Sequence, residues 1–174
     1  LGTVADVVGL DRNNRILVNE GLKRIRQGRA CAGIMALLEI GKRRRETLVA
    51  SDLGFAVGPR LNAAGRLDDM GLGIECLLSD NPDTATAMAI ELDAMNQQRK
   101  GIEGEMRDQA VSELDALHLD EKAVPAGVCI YQPDWHQGVI GILAARIKEK
   151  LHRPVIAFAD SGVQGSGEIE IKGS

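Results

Sequence analysis

The sequence predicts an α/β chain in three successive parts: a helical region over residues 1–80, a long connector helix over 81–122, and a small α/β region with a βαβ unit over 123–174. Three observations carry this reading. In the first part, apolar residues recur at helical spacing between capping and turn residues. From Asp83 to about Leu119, one helical pattern (Met88, Leu92, Met95, Ile102, Met106, Ala110, Leu114, Leu117) runs with no proline to stop it. After Pro125-Ala126-Gly127, the apolar runs VCIY (128–131) and PVIAFA (154–159) flank the amphipathic GVIGILAARIKEKL (138–151), the pattern of a parallel strand pair joined by a helix.

Taken in order, LGTVADVV reads as the end of a buried strand passing into a loop, because its residues are β-branched or small. Asp11 is placed to cap a helix reaching about Gln27, with Ile16, Leu17, Leu22 and Ile25 as its apolar stripe. A short helix follows around Ile34–Ile40, and KRRRE (42–46) reads as a surface turn or helix end. Ser51 is expected to cap the next helix, with Pro59 starting a new turn at Arg60. Gly71–Ser79 is a short apolar helix. The long pattern would extend up to roughly 55 Å at 1.5 Å per residue, weakened in its middle by Gly101 and Gly104. Such a helix suits a connector between domains, although a bundle helix is written the same way. Near the end, DSGVQGSG reads as a flexible turn and EIEIKGS as a third, alternating strand.

Composition excludes several classes. A length of 174 residues with 44% hydrophobic content suffices for a real core. Aromatics at 2% are too few for base stacking to be a main binding mode. Cys31, Cys76 and Cys129 follow no CxxC spacing, which argues against a disulfide framework or zinc site and suits a reduced, cytoplasmic setting. No apolar run approaches membrane-spanning length, so no membrane partner is expected. Residues 1–66 hold 12 Lys and Arg against 6 Asp and Glu, while the remainder is acidic. The basic part could attract a polyanion; it could equally be a set of solvated helix faces. The apolar opening without Met and the abrupt ending at EIEIKGS read as cuts through a longer protein.

Four places could carry chemistry. In GPRLNAAGRL (58–67), Asn62 and Arg66 are four apart and would share one helix face, where an amide and a guanidinium can donate several hydrogen bonds to one phosphate. Ala63, Ala64 and Gly65 would let a backbone approach closely; the alternative is a Gly-capped helix end with surface arginines. Asp6 stands in an apolar segment, where a carboxylate wants a metal or a hydrogen-bonding partner. One carboxylate is not a metal site, since hard cations take several ligands. His136 precedes the βαβ helix, whose first amides near Gly138 and Val139 would favour an anion. The alternative there is that Asp134 caps the helix and His136 is structural. His118 is expected on the solvated long helix, His152 at the end of its own helix, and Trp135 as a packing anchor.

LGTVADVV, SDLGFAVGPRLNAAGRLDDM, ELDAMNQQRKGIE and PDWHQGVIGILAARIKEKLHRPVIAF together resemble the DHH phosphoesterase superfamily, and within it the single-strand-specific DNA exonucleases. The resemblance covers nearly the whole chain in order. It implies 5′→3′ hydrolysis of single-stranded DNA in bacterial recombination and repair, with Mn²⁺ or Mg²⁺ as cofactor. It further implies that metal-activated water attacks the phosphodiester while a second ion stabilises the leaving oxygen. By the same resemblance Asp6 is a catalytic metal ligand. Asn62 and Arg66 grip the phosphate near the cut, Arg66 with a catalytic share, and His136 faces the substrate cleft. Lys172-Gly173-Ser174 match the start of the family's KGSGRS motif, which makes Gly173 and Ser174 substrate-binding. Gly165-Ser166-Gly167 is a false match, because Glu168 stands where Arg should follow. The three parts then become the C-terminal part of a DHH domain, the connector, and the start of a DHH-associated domain, with the active site between the two domains. The DHH triplet and the upstream aspartates are absent from the sequence, so the chain alone is expected to be inactive. A phosphodiesterase of short oligonucleotides or cyclic dinucleotides is the alternative within the superfamily, and a non-catalytic nucleic-acid-binding or interaction module the alternative outside it. Protein partners are not legible.

Overall fold

The computed structural model describes residues 1–6, 8–116, 125–163 and 169–174. These form two compact units, Leu1–Gln97 and Gln98–Ser174. The division falls inside one long helix.

The first unit is helical. Its elements are α1 (Gly2–Ala5), α2 (Arg12–Arg26), α3 (Ala32–Ile40), α4 (Ala50–Asp52), α5 (Gly58–Leu67), α6 (Gly71–Leu78) and the first part of α7 (Pro82–Ala116). The opening residues are a helical turn, not the expected strand: Ala5 and Asp6 donate their N–H groups to Leu1 O and Gly2 O at 3.0 and 2.9 Å. Packing decides it over β propensity. The turn lies against the helical run 53–58, where a Cβ on Gly58 would sit 3.1 Å from Ala5 Cβ and one on Gly54 3.6 Å from Val4 Cγ1.

Asp11 caps α2 as expected, its Oδ1 accepting the Asn14 N–H at 2.8 Å. The stripe differs. Leu22 and Ile25 are buried with Val18 packed beside them, whereas Ile16 and Leu17 are 51% and 65% exposed. Positions 18, 22 and 25 keep one face at 3.6-residue spacing, and 16 and 17 fall off it. Ser51 is not a cap. Asp52 Oδ2 instead accepts the Val49 N–H at 3.0 Å, and Ser51 lies within α4. A π-helical turn, Leu53–Val57, then runs directly into α5. Pro59 has no N–H to give the preceding turn, and the backbone is widened just ahead of it.

The core of this unit joins Leu22, Leu37, Leu48, Val57, Leu61 and Leu92. Small residues set its spacing. Ala85 and Ala89 on α7 are fully buried. A Cβ on Gly33 of α3 would lie 2.1 Å from the Cys76 carbonyl oxygen of α6, so these two helices touch backbone to backbone.

The second unit opens with the rest of α7, where Met106 and Ala110 are buried and Gly101 and Gly104 are accommodated without a break. The side chain of Leu114 and the expected positions Leu117, His118 and Leu119 lie outside the described residues, as do Gly165-Ser166-Gly167. Strand β1 (Val128–Tyr131), helix α8 (Ile140–Leu151) and strand β2 (Val155–Val163) form the expected βαβ unit, with β1 and β2 parallel from Val128↔Val155 to Tyr131↔Phe158. Ile140, Leu143, Ala144 and Ile147 are the buried stripe of α8, and His152 ends it in the left-handed conformation at φ 53°. Strand β3 (Ile169–Gly173) pairs antiparallel with β2. The turn expected over DSGVQGSG (160–167) is overturned in its first half, where Asp160–Val163 continues β2 with a bulge between Asp160 and Val163; its second half lies outside the described residues. A bulge absorbs the irregularity of a polar, glycine-containing stretch without ending the pairing. Among the described residues no helix is long and apolar enough to cross a membrane.

Candidate functional site

In the first unit, α5 turns GPRLNAAGRL into two opposed faces. Ala63 and Ala64 are fully buried in the core, while Asn62, Gly65 and Arg66 are exposed. Asn62 and Arg66 therefore share the solvent side, one helical turn apart. Two of the three small residues do a different job from the one expected. Ala63 and Ala64 let α5 sink into the core and do not lie on the Asn62–Arg66 face. The other arginine of the stretch is structural: Arg60 is 12% exposed, its Nη2 lies 2.8 Å from Asp93 Oδ1 on α7, and its Nη1 donates to Ala56 O at 2.5 Å. The stretch thus holds one inward and one outward guanidinium.

Asp6 is the C-cap residue of α1, just beyond Ala5, and is exposed. Among the described residues, no group of three or more His, Cys, Asp or Glu side chains could hold a metal ion.

In the second unit, His136 sits between β1 and α8. Its Nδ1 accepts the Gly138 N–H at 3.1 Å, and its carbonyl accepts the Val139 and Ile140 N–H groups at 2.9 and 3.2 Å. The amides near Gly138 and Val139, expected to await an anion, are engaged by His136 itself. Asp134 does not cap α8, whose N-cap residue is Val139 with no side-chain bond. Gln137 Oε1 accepts from Lys172 Nζ at 2.9 Å, tying this loop to β3. Ser174 exchanges two backbone bonds with Ala157 at 3.0 Å, and a Cβ on Gly141 would lie 2.7 Å from its hydroxyl. Lys172 and Ser174 thus reach the start of α8, Lys172 through Gln137, the residue after His136. Gly173 points to the opposite face of the sheet, against Phe158.

No protein-family profile matches the chain. Individual relatives do. The chain is 58% identical over 170 residues to the single-stranded-DNA-specific exonuclease RecJ of Salmonella typhimurium, covering 96% of this chain and 30% of that protein. The Escherichia coli RecJ is 57% identical over the same length, again covering 96% of this chain and 30% of the relative. Among solved structures, RecJ of Thermus thermophilus in complex with Mn²⁺ superposes with a TM-score of 0.79 at 34% identity, covering 91% of this chain and 23% of that one. The chain is a RecJ-like segment. It spans about 30% of the length of the curated relatives it matches.

The RecJ likeness covers 96% of the chain and so extends over both units. Sequence reasoning missed several residues that shape these places. Gln109 accepts the Trp135 indole N–H at 2.8 Å, across 26 positions. Tyr131 donates to Asp160 Oδ1 at 2.8 Å, which pushes the phenol above its ordinary range. Neither pairing has a local signal: the first joins the loop before α8 to α7, and the second joins β1 to β2.

Proposed function

We propose that this chain supplies one metal-ligating carboxylate, Asp6, and a phosphate-holding helix face, Asn62 with Arg66, to a metal-dependent, single-strand-specific 5′→3′ DNA exonuclease of recombination and repair in the bacterial cytoplasm. The observation that carries the proposal is the agreement with RecJ along nearly the whole chain, together with an α5 on which Asn62 and Arg66 face outward while Ala63 and Ala64 turn inward. The solved RecJ relatives bind Mg²⁺ or Mn²⁺. When bound, such ions supply activation of water and stabilisation of the leaving oxygen. The chain's own residues then do two things. Asp6 contributes one carboxylate to the ions. Arg66 and Asn62 hold the phosphate and stabilise the charge that develops on it. His136, Gly173 and Ser174 would hold substrate from the second unit. Residues 1–80 would be the C-terminal part of a DHH domain, 81–122 the connector, and 123–174 the start of the DHH-associated domain. With a single ligand of the set, the 174-residue chain by itself is expected not to digest DNA.

The test is a chimaera in which this chain replaces the matching segment of the Escherichia coli relative. The chimaera should digest single-stranded DNA with Mn²⁺, and Asp6→Ala should abolish turnover while keeping most of the DNA affinity, which comes from phosphate contacts elsewhere. A near-normal rate for Asp6→Ala at saturating Mn²⁺ would demote Asp6 to a loop residue. Metal-dependent digestion by the 174-residue chain alone would overturn the division of labour.

A further inference from the structure

We infer that Gln109 is a positioning residue for His136, acting through Trp135. Trp135 is the only tryptophan and is 4% exposed. A buried indole N–H needs an acceptor, and it finds one in Gln109 Oε1 at 2.8 Å, an exposed residue of α7 flanked by the buried Met106 and Ala110. The loop has one other long-range side-chain bond, from Lys172 Nζ on β3 to Gln137 Oε1 at 2.9 Å, on the far side of His136; its remaining bonds run along the backbone, Gln132 N–H to Phe158 O at 3.3 Å, Trp135 N–H to Gln132 O at 3.3 Å, and the His136 carbonyl to the start of α8. The Trp135–Gln109 bond therefore fixes the loop from α7, one residue before the imidazole.

That imidazole is held in one tautomer. Gly138 donates to Nδ1, so Nδ1 is the lone-pair nitrogen and the neutral ring carries its proton on Nε2. A ring held this way offers a donor at Nε2, which is what a phosphate oxygen or a sugar hydroxyl can accept. If Trp135 shifts, His136 shifts with it. The Gly138–Nδ1 bond lengthens, and the preference for the Nε2–H tautomer fades. The indole of Trp135 thus does more than fill the core: it carries the position of α7 into the donor identity of His136. The inference rests on the reading of His136 as a substrate-facing group, but the tautomer can be measured without substrate.

The experiment is ¹⁵N NMR of the 174-residue chain, following the single indole N–H and the His136 ring nitrogens. Gln109→Met removes the acceptor while keeping side-chain length and helix propensity. It should move the Trp135 indole resonance and collapse the separation between Nδ1 and Nε2 of His136 toward a tautomer average. Gln109→Glu keeps an acceptor and should retain both native signals. If Gln109→Met does not fold, Gln109→Asn withdraws the acceptor by one methylene and gives the same comparison. A moved Trp135 resonance with unchanged His136 nitrogens overturns the inference. Adding a 5′-phosphorylated oligothymidylate separates the two readings. An oligonucleotide that leaves His136 untouched while the Gln109 coupling persists removes the substrate role of His136 and upholds the positioning.

Discussion

Gly173 lies directly against the ring of Phe158: a Cβ there would sit 2.5 Å from Cε1, and the two residues are cross-strand partners of β3 and β2. No unusual backbone angle is involved. The glycine is required by the ring, which covers the position a side chain would take. This gives Gly173 a structural reason to be a glycine beside the substrate-binding role proposed for it.

The two reasons separate experimentally. Gly173→Ala should push the Phe158 ring off its rotamer, at a cost of about 1 kcal/mol. Adding Phe158→Leu should restore the stability measured by urea unfolding. If Gly173 also serves the substrate, the double variant placed in the chimaera should regain stability without regaining its DNA-digestion rate. Recovery of both would reduce Gly173 to packing.

Helical glycines should respond with opposite signs. Gly33→Ala places a methyl 2.1 Å from the Cys76 carbonyl oxygen, and backbone cannot step aside as a side chain can. A loss of about 1–3 kcal/mol is expected. Gly101→Ala meets nothing within 4 Å and should gain up to about 1 kcal/mol from helix propensity. Thermal unfolding of the two variants checks this. A stabilised Gly33→Ala would refute the backbone contact between α3 and α6.

Tyr131 is the sole tyrosine, so its titration can be read directly by ultraviolet absorbance. Its hydrogen bond to Asp160, aided by the charges of Asp160 and Asp134, raises the phenol above its ordinary value of 10.0. The sign follows from linkage. The folded state holds the phenol proton more tightly, so the bond's stabilisation is fully present below the unfolded pKa and is lost as pH rises through the raised folded value. Asp160→Ala should bring the titration midpoint down toward 10.0. An unchanged midpoint would mean that the bond does not persist in solution.

What the sequence disclosed follows the range of the physics. Asp11, the α8 stripe and the parallel β1–β2 pair depend on spacing within a few residues, and all were legible. The opening strand was misread because Gly54 and Gly58, about fifty positions on, create the surface on which α1 packs. Ile16 and Leu17 looked like core because their hydropathy is visible while the helix phase that excludes them is set by Val18, Leu22 and Ile25. At the candidate site, Asn62 and Arg66 on one α5 face were legible from spacing. The inward turn of Ala63 and Ala64 was not, since small residues serve a close-packed core and a close-approaching ligand equally well.

The two arginines of GPRLNAAGRL should therefore fail in different ways. Arg60 is nearly buried, bonded to Ala56 O and close to the Asp93 carboxylate. Arg60→Ala strands that carboxylate and should cost stability first, with activity falling only as the fold does. Arg66 is exposed on the last turn of α5, beside Asn62. If it holds a phosphate during hydrolysis, its bond is strongest as charge develops. Arg66→Ala in the chimaera should then lower the single-turnover cleavage rate of a 5′-phosphorylated single strand by about 10²–10³, with a smaller effect on binding and little on the melting temperature. Arg66→Lys should rescue only part of the rate, because an ammonium cannot reproduce the planar fork. Arg44, an exposed residue of the basic turn, is the control. Arg44→Ala should leave the rate nearly unchanged and alter mainly its salt dependence. Equal, small effects at Arg66 and Arg44 would leave the α5 face an ordinary solvated surface, and the phosphate would have to be held elsewhere.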